Sequence, residues 1–564
     1  MFRTTRTARR SAVVATAAWA LVTGSALAQM QMQMQMQMQT QTQTQTQTAD
    51  AAAAATPQAF VAVSAYQVQG NTLLPPALIT ARLVAFTGNV NLQRLREAAA
   101  AVQDLYRRAG YGGVVAFLPE QGLQAGVVQI RVVEGRLTRV DIADNRQFSS
   151  DNVRASLPTL RTGATPDVRR IDAEIQMANE NPAKNVQVLL QPGTEPGAIV
   201  AKVTVQEQPV QRFSARLDNT GGQRIGRWRA ALGWQHANVW GRDHVFAAEV
   251  QTAPQDTSAV VVASGSYRAP LYGQALALDV YGAWSEVDAG KVGTAAGDLQ
   301  FSGRGAVGGL RASFYLPRQG NIDQRLLLGV EWREYLNSCS IQGLPQGACG
   351  TAGASVSVQP LALTYTAQAA GELRWGLSIA LLHNLAAGGR HGGAADFEAV
   401  RSGSQRRYTL LRASGQISAA VGDWGTLTAR AAGQASGQPL VPGELFGIGG
   451  AQSVRGFEER ELSGDSGASL SLEAAGPNLA EHWKALSGVD LRALAFADAG
   501  SVTNQNDASC QAGRSSCRLG SLGLGLRVAR QGLQARLDVA RAMSGGSTTA
   551  KGDTRAHVSL LYNF

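Results

Sequence analysis

Two short motifs contain residues that could form a directional pair of opposite charges. The first motif, at 449–457, reads GGAQSVRGF and places Arg455 in a long loop between two strand patterns. The second, at 496–500, reads FADAG and places Asp498 within a strand pattern. A carboxylate shielded from water needs a partner, and a planar guanidinium can bind both of its oxygens at once. We therefore expect Arg455 to pair with Asp498, although Arg492 is an equally good partner on the pattern alone.

Patterns typical of catalysis and of metal or nucleotide binding are missing. The six histidines are scattered singly without an H-E-x-x-H motif, and no G-x-x-x-x-G-K-[ST] loop is present to bind phosphates. The GDSG sequence at 464–467 resembles the nucleophile loop of trypsin-like serine proteases, but no upstream histidine has the surroundings of that family's general base. We therefore predict a protein that is not an enzyme and that has no catalytic residue, cofactor or metal site.

The four cysteines form two pairs that are close in sequence, Cys339 with Cys349 and Cys510 with Cys517. Each pair could close one short loop in an oxidising compartment. The alternative is one zinc ion bound by all four thiolates, but neither pair has C-x-x-C spacing and no histidine lies nearby. We predict two disulfides.

Residues 209–564 show the alternation of a transmembrane β-barrel. We place about sixteen antiparallel strands, in which apolar positions alternate with small or polar ones. A soluble β-sandwich would also alternate, but its polar face would be rich in Lys, Glu and Asp, whereas here it consists of Gly, Ser, Ala and Arg. Around Asp498 the odd positions from 489 to 497 are apolar, so Asp498 is expected to face the lumen. The long loop at about 437–466 would then fold inward.

Both ends of the chain carry features of targeting signals. Residues 1–28 combine an arginine-rich start, an apolar stretch and an A-x-A site, which predicts a signal peptide. At the other end, Val558, Leu560, Tyr562 and Phe564 share one face of the last strand pattern. Outer-membrane proteins commonly end on an aromatic residue, and we interpret Tyr562 and Phe564 as a C-terminal assembly signal. These features predict export to the outer membrane.

The region between the predicted signal peptide and the barrel divides into a linker and two modules. Residues 29–58 alternate Gln with Met or Thr before an alanine run, which predicts a low-complexity linker with at most a short plug helix. Two copies of a β-α-α-β-β pattern then follow, at 59–135 and 136–208. One larger α+β domain is the alternative. In the second copy we predict a helix over 167–178 with Thr165 as its N-cap.

The composition agrees with this organisation. Of 564 residues, 45% are apolar and only 16% are charged, which excludes disorder as the main state. No internal apolar run reaches the length of a membrane-spanning helix. The net charge of +10 includes the arginines of the predicted signal peptide, and the basic residues are not interleaved with aromatic ones. We therefore predict no nucleic-acid partner.

Taken together, the motifs resemble those of one transporter family. Val454, Arg455, Gly456 and Phe457 match the loop-tip motif of the two-partner secretion transporters, the TpsB or haemolysin secretion/activation proteins. Residues Phe496, Asp498 and Gly500 match that family's F-x-D-x-G strand motif. The second module also resembles the family's second POTRA module, through Asn179, Asn181 and Pro182 and the Pro-Gly pairs that follow.

The resemblance implies two periplasmic POTRA modules, POTRA 1 at 59–135 and POTRA 2 at 136–208, and a 16-stranded outer-membrane barrel. Such a protein exports one dedicated exoprotein, a TpsA-type adhesin or haemolysin, in unfolded form. The POTRA modules would receive the exoprotein, and its progressive folding outside would drive export. Outer-membrane lipid and the barrel-assembly machinery are the other implied partners, and the transporter is expected to be a monomer.

Two points of the resemblance leave alternatives open. A barrel-assembly or translocation-assembly factor would share the loop and strand motifs, although it would usually carry more than two modules. The family also often has an N-terminal helix in the pore. Here only residues 49–55 could be helical before Pro57, and at about 1.5 Å per residue this stretch is too short to thread a barrel.

Overall fold

A computed structural model describes residues 60–122, 126–222, 226–286, 290–294, 297–301, 304–336, 354–506, 508–511 and 513–564. The predicted signal peptide, the linker with its possible plug helix, and the pair Cys339 and Cys349 lie outside the described residues. Among those residues, no helix combines the length and the apolar character needed to cross a bilayer.

The first module has a three-stranded sheet in the order β2-β5-β4, with β2 parallel to β5. Its elements are β1 (Val61–Val63), β2 (Ala65–Gln69), α1 (Pro76–Leu83), β3 (Gly88–Val90), α2 (Leu92–Arg108), β4 (Val114–Phe117) and β5 (Val127–Glu134). Val128, Ile130 and Val132 alternate along β5 and are buried, as the period of a half-covered strand requires. The sequence pattern missed β3, a three-residue strand that pairs with β1.

The second module repeats this order with a sheet in the order β6-β8-β7. Its elements are β6 (Arg136–Ala143), α3 (Ser150–Ala155), α4 (Val168–Ala178), β7 (Lys184–Pro192) and β8 (Ala198–Glu207). The prediction of Thr165 as the N-cap of α4 is wrong. Asp167 caps this helix, because its carboxylate accepts from the backbone N–H groups of Arg169 and Arg170 at 3.1 and 3.4 Å.

In the part of the chain that the structure describes, sixteen antiparallel strands close into a barrel, with β18 and β19 forming one interrupted strand. The strands from the barrel and its loops are β9 (Gln211–Asp218), β10 (Arg229–Val239), β11 (His244–Ala253), β12 (Asp256–Leu271), β13 (Leu276–Glu286), β14 (Gly290–Thr294), β15 (Gly297–Phe301), β16 (Arg304–Gln319), β17 (Ile322–Leu336), β18 (Val356–Val358), β19 (Pro360–Ala369), β20 (Leu373–Asn384), β21 (Thr409–Ala420), β22 (Thr426–Ser436), β23 (Phe446–Ile448), β24 (Leu462–Gly464), β25 (Ser466–Ala475), β26 (Asp490–Thr503), β27 (Ser516–Arg530), β28 (Leu533–Ala542) and β29 (Thr554–Asn563).

Two pairs of short strands, β14 with β15 and β23 with β24, form separate two-stranded sheets that are not part of the barrel wall. One further α-helix, α5 (Ala394–Val400), lies between β20 and β21. The barrel closes where β29 pairs with β9, with Leu560 opposite Leu217. At this junction Phe213 and Phe564 each donate a backbone hydrogen bond of 2.9 Å to the other. The predicted fold class, POTRA modules followed by a barrel, is confirmed.

The barrel strands separate an apolar outer face from a mixed inner face. On β27, Leu522, Leu524 and Leu526 are 51%, 68% and 41% exposed, while Leu519, on the opposite face of the same strand, is buried. Exposed leucines at every second position are expected where the solvent is lipid rather than water. On β26 the alternation places Phe496 and Asp498 on the inner face, as predicted.

The second module contacts one end of the barrel through a buried ion pair. Lys184 on β7 donates to the carboxylate of Asp243, in the turn between β10 and β11, and to Asn152 Oδ1 at 3.2 Å. The Tyr272 hydroxyl donates to the same carboxylate at 2.7 Å. Burial lowers the pKa of the Lys184 ammonium, and Asp243 opposes that shift.

A second set of contacts involves the carboxylate of Glu180, just after α4. It accepts from the guanidinium groups of Arg268 and Arg325 and from the Tyr315 hydroxyl, all on barrel strands. Met177 is buried against Ala277 and Tyr315 beside these charges. The second module is therefore held to the barrel by desolvated charges as well as by apolar packing.

We predict that Lys184→Met loosens this attachment. The substitution leaves Asp243 buried without its cation, which costs about 3–5 kcal/mol. Limited proteolysis of the connection at 208–210 should then be faster than in the unmodified protein. Lys202→Met, at an exposed lysine on the neighbouring strand β8, is the matched control. Equal cleavage rates for the two variants would contradict the prediction.

Candidate functional site

The loop between β22 and β25 lies inside the barrel. Because β25 begins at Ser466, this inward loop covers residues 437–465. Its two arms form the short hairpin of β23 and β24, with Ile448 opposite Leu462. Both residues are fully buried against Val502 on the inner face of β26. The inward loop therefore packs its apolar side chains against the lumen wall.

The tip of the inward loop is held by Arg455. Its Nε donates to Asp498 Oδ2 and its Nη2 to Asp498 Oδ1, both at 2.7 Å. The backbone N–H of Arg455 adds a third hydrogen bond to Oδ2 at 3.0 Å. Arg455 is 4% exposed and Asp498 is 3% exposed, so little water competes for these contacts. Arg492, the alternative partner, instead pairs with Asp490 at 2.8 Å on a more exposed part of β26.

The remaining donors of Arg455 bind the neighbouring strand β25. Nη1 donates to Glu473 Oε1 at 2.6 Å, and Nη2 donates to Ser471 Oγ at 3.0 Å. The guanidinium also lies over the ring of Phe496, 3.4 Å from its centroid. Each polar atom of the side chain therefore has a partner, as a buried guanidinium requires.

Further charges around the pair keep the site close to neutral. Asp538 on β28 lies 3.6 Å from Arg455 Nη1 and is paired with Arg527 at 2.8 Å. Glu473 is also bound by Arg430 at 2.8 Å. Three carboxylates and three guanidinium groups thus alternate within one network, which lowers the cost of placing charge in the lumen.

Two glycines allow the loop tip to approach the wall closely. Gly456 adopts a φ of +92°, which is unfavourable for other residues, and its N–H donates to His557 Nε2 at 2.9 Å. A Cβ on Gly500 would lie 3.0 Å from Val454 Cγ2. Phe457 and Val454 are both fully buried in the same cluster. The structure therefore brings the two predicted motifs into direct contact.

A second buried anchor lies on the first arm of the inward loop. The carboxylate of Glu444 is fully buried and accepts from Arg333 at 2.7 Å, from Arg412 at 3.2 Å and from the Tyr335 hydroxyl at 2.9 Å. These donors come from strands β17 and β21, on another part of the wall from Asp498. The arm and the tip are thus fixed to different strands.

A third anchor is Asp465 of the GDSG sequence. Its two oxygens bind both terminal nitrogens of Arg401, each at 2.7 Å, and accept from the backbone N–H groups of Leu440 and Gln505, also at 2.7 Å. The Ser466 hydroxyl donates to the Ser436 carbonyl at 3.1 Å. The acid and the serine of this sequence are both engaged in fixing the loop base, and no cluster of metal-ligand type occurs among the described residues.

The other predicted site residues lie away from the loop tip. Asn179 binds both backbone groups of Val186, at 3.0 and 2.6 Å, and the amide of Asn181 donates to the Ala237 carbonyl of the barrel at 2.6 Å; Pro182 follows in the same turn. A disulfide joins Cys510, in the connection between β26 and β27, to Cys517 at the start of β27. Tyr562 and Phe564 are exposed and stack at 5.7 Å between ring centroids.

Several residues of the network were missed in the sequence. Alternation along a strand assigns Glu473 and Arg333 to the inner face, but it does not say which residues they meet. His557 is separated from Gly456 by 101 positions, and their contact depends on how the barrel closes. Only the register between strands identifies such partners.

Comparison with known proteins agrees with this architecture. The family described as haemolysin secretion/activation protein ShlB/FhaC/HecB matches residues 197–528, more than half of the chain. The POTRA domain of ShlB type matches residues 61–135. The outer membrane transporter CdiB of Escherichia coli O6:K15:H31 is 27% identical over 427 residues, which are 73% of this chain and 68% of that protein. The heme/hemopexin transporter protein HuxB of Haemophilus influenzae is 27% identical over 157 residues, 27% of each chain.

Solved structures share the fold. CdiB from Escherichia coli superposes with a TM-score of 0.73 at 20% identity, covering 91% of this chain and 92% of that one. CdiB from Acinetobacter baumannii gives a TM-score of 0.67 at 18% identity, covering 90% of each. The family predicted from the motifs and its location in the outer membrane, with periplasmic POTRA domains, are confirmed. The chain belongs to the haemolysin secretion/activation protein ShlB/FhaC/HecB family, and it is an outer-membrane exporter of two-partner secretion.

Proposed function

We propose that this chain, acting as a monomer, exports one dedicated exoprotein, a TpsA-type adhesin or haemolysin, and that the inward loop closes the pore between export events. The observation that supports the closing role most directly is the buried contact of Arg455 with Asp498, with three hydrogen bonds of 3.0 Å or less. The pair can break and reform without covalent chemistry. It therefore suits a plug that must be stable at rest and displaced by cargo.

The POTRA modules would receive the exoprotein at their sheet edges. In the first module β4 is an edge strand, and its Val115 and Phe117 are 51% and 40% exposed. In the second module β6 and β7 are the edge strands. An extended segment can add to such an edge by backbone hydrogen bonds, while exposed apolar side chains provide selectivity. We assign recognition to these edges and passage to the barrel.

Displacement of the inward loop is the step that cargo must bring about. The loop tip carries a cation bound by wall carboxylates. The arm carries Glu444, bound by wall arginines, and the base carries Asp465, bound by Arg401 just after α5. A cationic segment of the cargo could replace the loop on the wall carboxylates at the tip, but not on the wall arginines that bind Glu444. We infer that the tip leaves first and that the arm and base retain the loop near the wall.

The proposed function predicts a selective secretion defect. Deleting the gene should remove one large exoprotein from the medium, while the outer-membrane levels of other barrels remain unchanged. Quantitative proteomics of the medium and the outer membrane measures both. A general loss of barrels would instead favour the assembly-factor alternative, with which this family shares its motifs. Reintroducing the unmodified gene is the control.

We predict that Arg455→Ala reduces export by about tenfold or more. Breaking a buried ion pair costs about 3–5 kcal/mol, so the loop tip would no longer return to one fixed position on the wall after each export event. The amount of folded barrel in the outer membrane should be unchanged, because the strand ladder is not altered. Arg492→Ala is the matched control, since this arginine lies on the same strand as Asp498 but pairs with Asp490 near the surface. Secretion of the exoprotein is the measurement. Normal secretion by Arg455→Ala would refute the role assigned to the pair.

Gly500→Val tests whether close approach of the loop matters independently of charge. The new side chain would overlap Val454 and Ile448, and overpacking of this kind costs about 1–3 kcal/mol. We expect weaker closure, measured as increased ion conductance of the purified protein in planar bilayers. Gly520→Val is the control, because a Cβ there would lie 3.8 Å from its nearest neighbour. Unchanged conductance in Gly500→Val would show that steric fit at this position is unimportant.

A further inference from the structure

The position of the second module identifies the two ends of each barrel strand. This module contacts the turn that contains Asp243, so that end of the barrel faces the periplasm. Strand β9 begins at the same end of the barrel. Phe564, which follows β29, forms backbone hydrogen bonds with Phe213 near the start of β9. Since neighbouring strands are antiparallel, β27 runs from the extracellular end at Ser516 to the periplasmic end at Arg530.

Three cations lie at the extracellular end of β27, β28 and the turn after them. Arg518 has the same parity as the exposed Leu522 and Leu524 on β27, and it therefore belongs to the lipid-facing side. Arg541 on β28 is opposite Leu522 in register, on the same side. Lys551 lies in the turn between β28 and β29, and all three residues are exposed.

The height of Arg518 matches the outer boundary of the membrane. Ten positions separate it from Val528, the last outward apolar residue of β27. At about 3.3 Å per residue and a strand tilt of about 40°, this distance corresponds to roughly 25 Å along the barrel axis, the height of the apolar band. The guanidinium of Arg518 is thus at the level of lipid headgroups.

The side chain of Arg541 extends towards the same level. Its Nη2 lies 3.9 Å from the position that a Cβ on Gly552 would occupy, next to Lys551 in the extracellular turn. In the described part of the chain, none of the three cations forms an ion pair. The nearest acidic residue in sequence, Asp553, accepts a hydrogen bond from the backbone N–H of Ala550 at 2.8 Å. Three cations above an apolar surface are therefore left for a ligand outside the protein.

We propose that Arg518, Arg541 and Lys551 bind the phosphate groups of lipid A, the glycolipid of the outer leaflet, with its acyl chains on Leu522 and Leu524. Two arguments favour lipid A over a phospholipid. The outer leaflet of this membrane consists mainly of the glycolipid, and its two phosphates lie on one disaccharide, which suits several cations spread over two strands. Arginine binds phosphate in a bidentate manner, and basic clusters beside a membrane recruit anionic headgroups.

The position of this site connects it with the loop tip. On their inner faces, β28 and β29 carry Asp538 and His557, which contact the inward loop. A bound glycolipid would restrain the outer ends of the strands that support these contacts. The proposal concerns a lipid ligand of the barrel and is independent of which exoprotein passes through it.

The test compares the purified full-length protein with the triple variant Arg518→Gln, Arg541→Gln and Lys551→Gln. The control is Arg530→Gln, which changes an exposed arginine on the same strand and the same outward side but at the periplasmic end. Binding of bisphosphorylated lipid A in detergent is measured by native mass spectrometry and by the shift in the thermal unfolding midpoint. Dephosphorylated lipid A and phosphatidylglycerol serve as competitors.

We expect the triple variant to bind lipid A about tenfold more weakly or worse, and Arg530→Gln to bind like the unmodified protein. Dephosphorylated lipid A should fail to compete. Equal binding by the triple variant would overturn the proposal, and so would equal competition by phosphatidylglycerol, since that result would indicate unspecific attraction of anions. The three single variants, each expected to weaken binding in part, provide the same test if the triple variant does not fold.

Discussion

The position of the inward loop depends on a guanidinium and a carboxylate that meet where water is scarce. Arg455 and Asp498 are almost completely buried, and each would be costly there without the other. The inward loop has little structure of its own, because its only hairpin contains three residue pairs. Its position inside the barrel must therefore come from contacts with the wall. The charge pair provides the directional part of those contacts, and buried Val454 and Phe457 provide the apolar part.

The sign of the charges differs along the inward loop. At the tip the loop supplies the cation and the wall supplies carboxylates. Glu444 is a loop carboxylate that binds wall arginines, and Asp465 is a loop carboxylate that binds Arg401 just after α5. Salt screens buried ion pairs much less than exposed ones. A small ion also cannot replace the loop on the wall at both Glu444 and the tip, because the wall supplies arginines at the first and carboxylates at the second. This arrangement favours release by a large ligand that contacts the loop directly. An exoprotein segment entering from the periplasm has that property, while a small ion does not.

Alternation in the sequence was sufficient to place Asp498 on the inner face of a strand, and the motif spacing was sufficient to name Arg455 as one partner. These patterns did not distinguish Arg455 from Arg492, because either guanidinium could pair with the carboxylate as long as the position of the loop was unknown. The contacts of Glu473, Ser471 and His557 could not be derived, since they require the register of four strands and the closure of the barrel. The residue predicted as the N-cap of α4 was wrong, and the reason is more local. Both Thr165 and Asp167 precede the helix, and only the backbone path shows which side chain reaches the free N–H groups.

The residues of the two motifs have separate structural roles. Val454 fills the space above Gly500, where a Cβ would be too close, and Arg455 pairs with Asp498 two positions before that glycine. Gly456 has the left-handed conformation that turns its N–H towards His557. Phe496 lies under the guanidinium, and its own ring lies so close to Gly523 that a Cβ there would be 2.3 Å from it. The glycines are therefore as necessary as the charges, since a directional pair forms only if the two backbones can approach within its reach. A substitution that keeps both charges but increases the distance between the two backbones should weaken the ion pair, as the loss of a charge does.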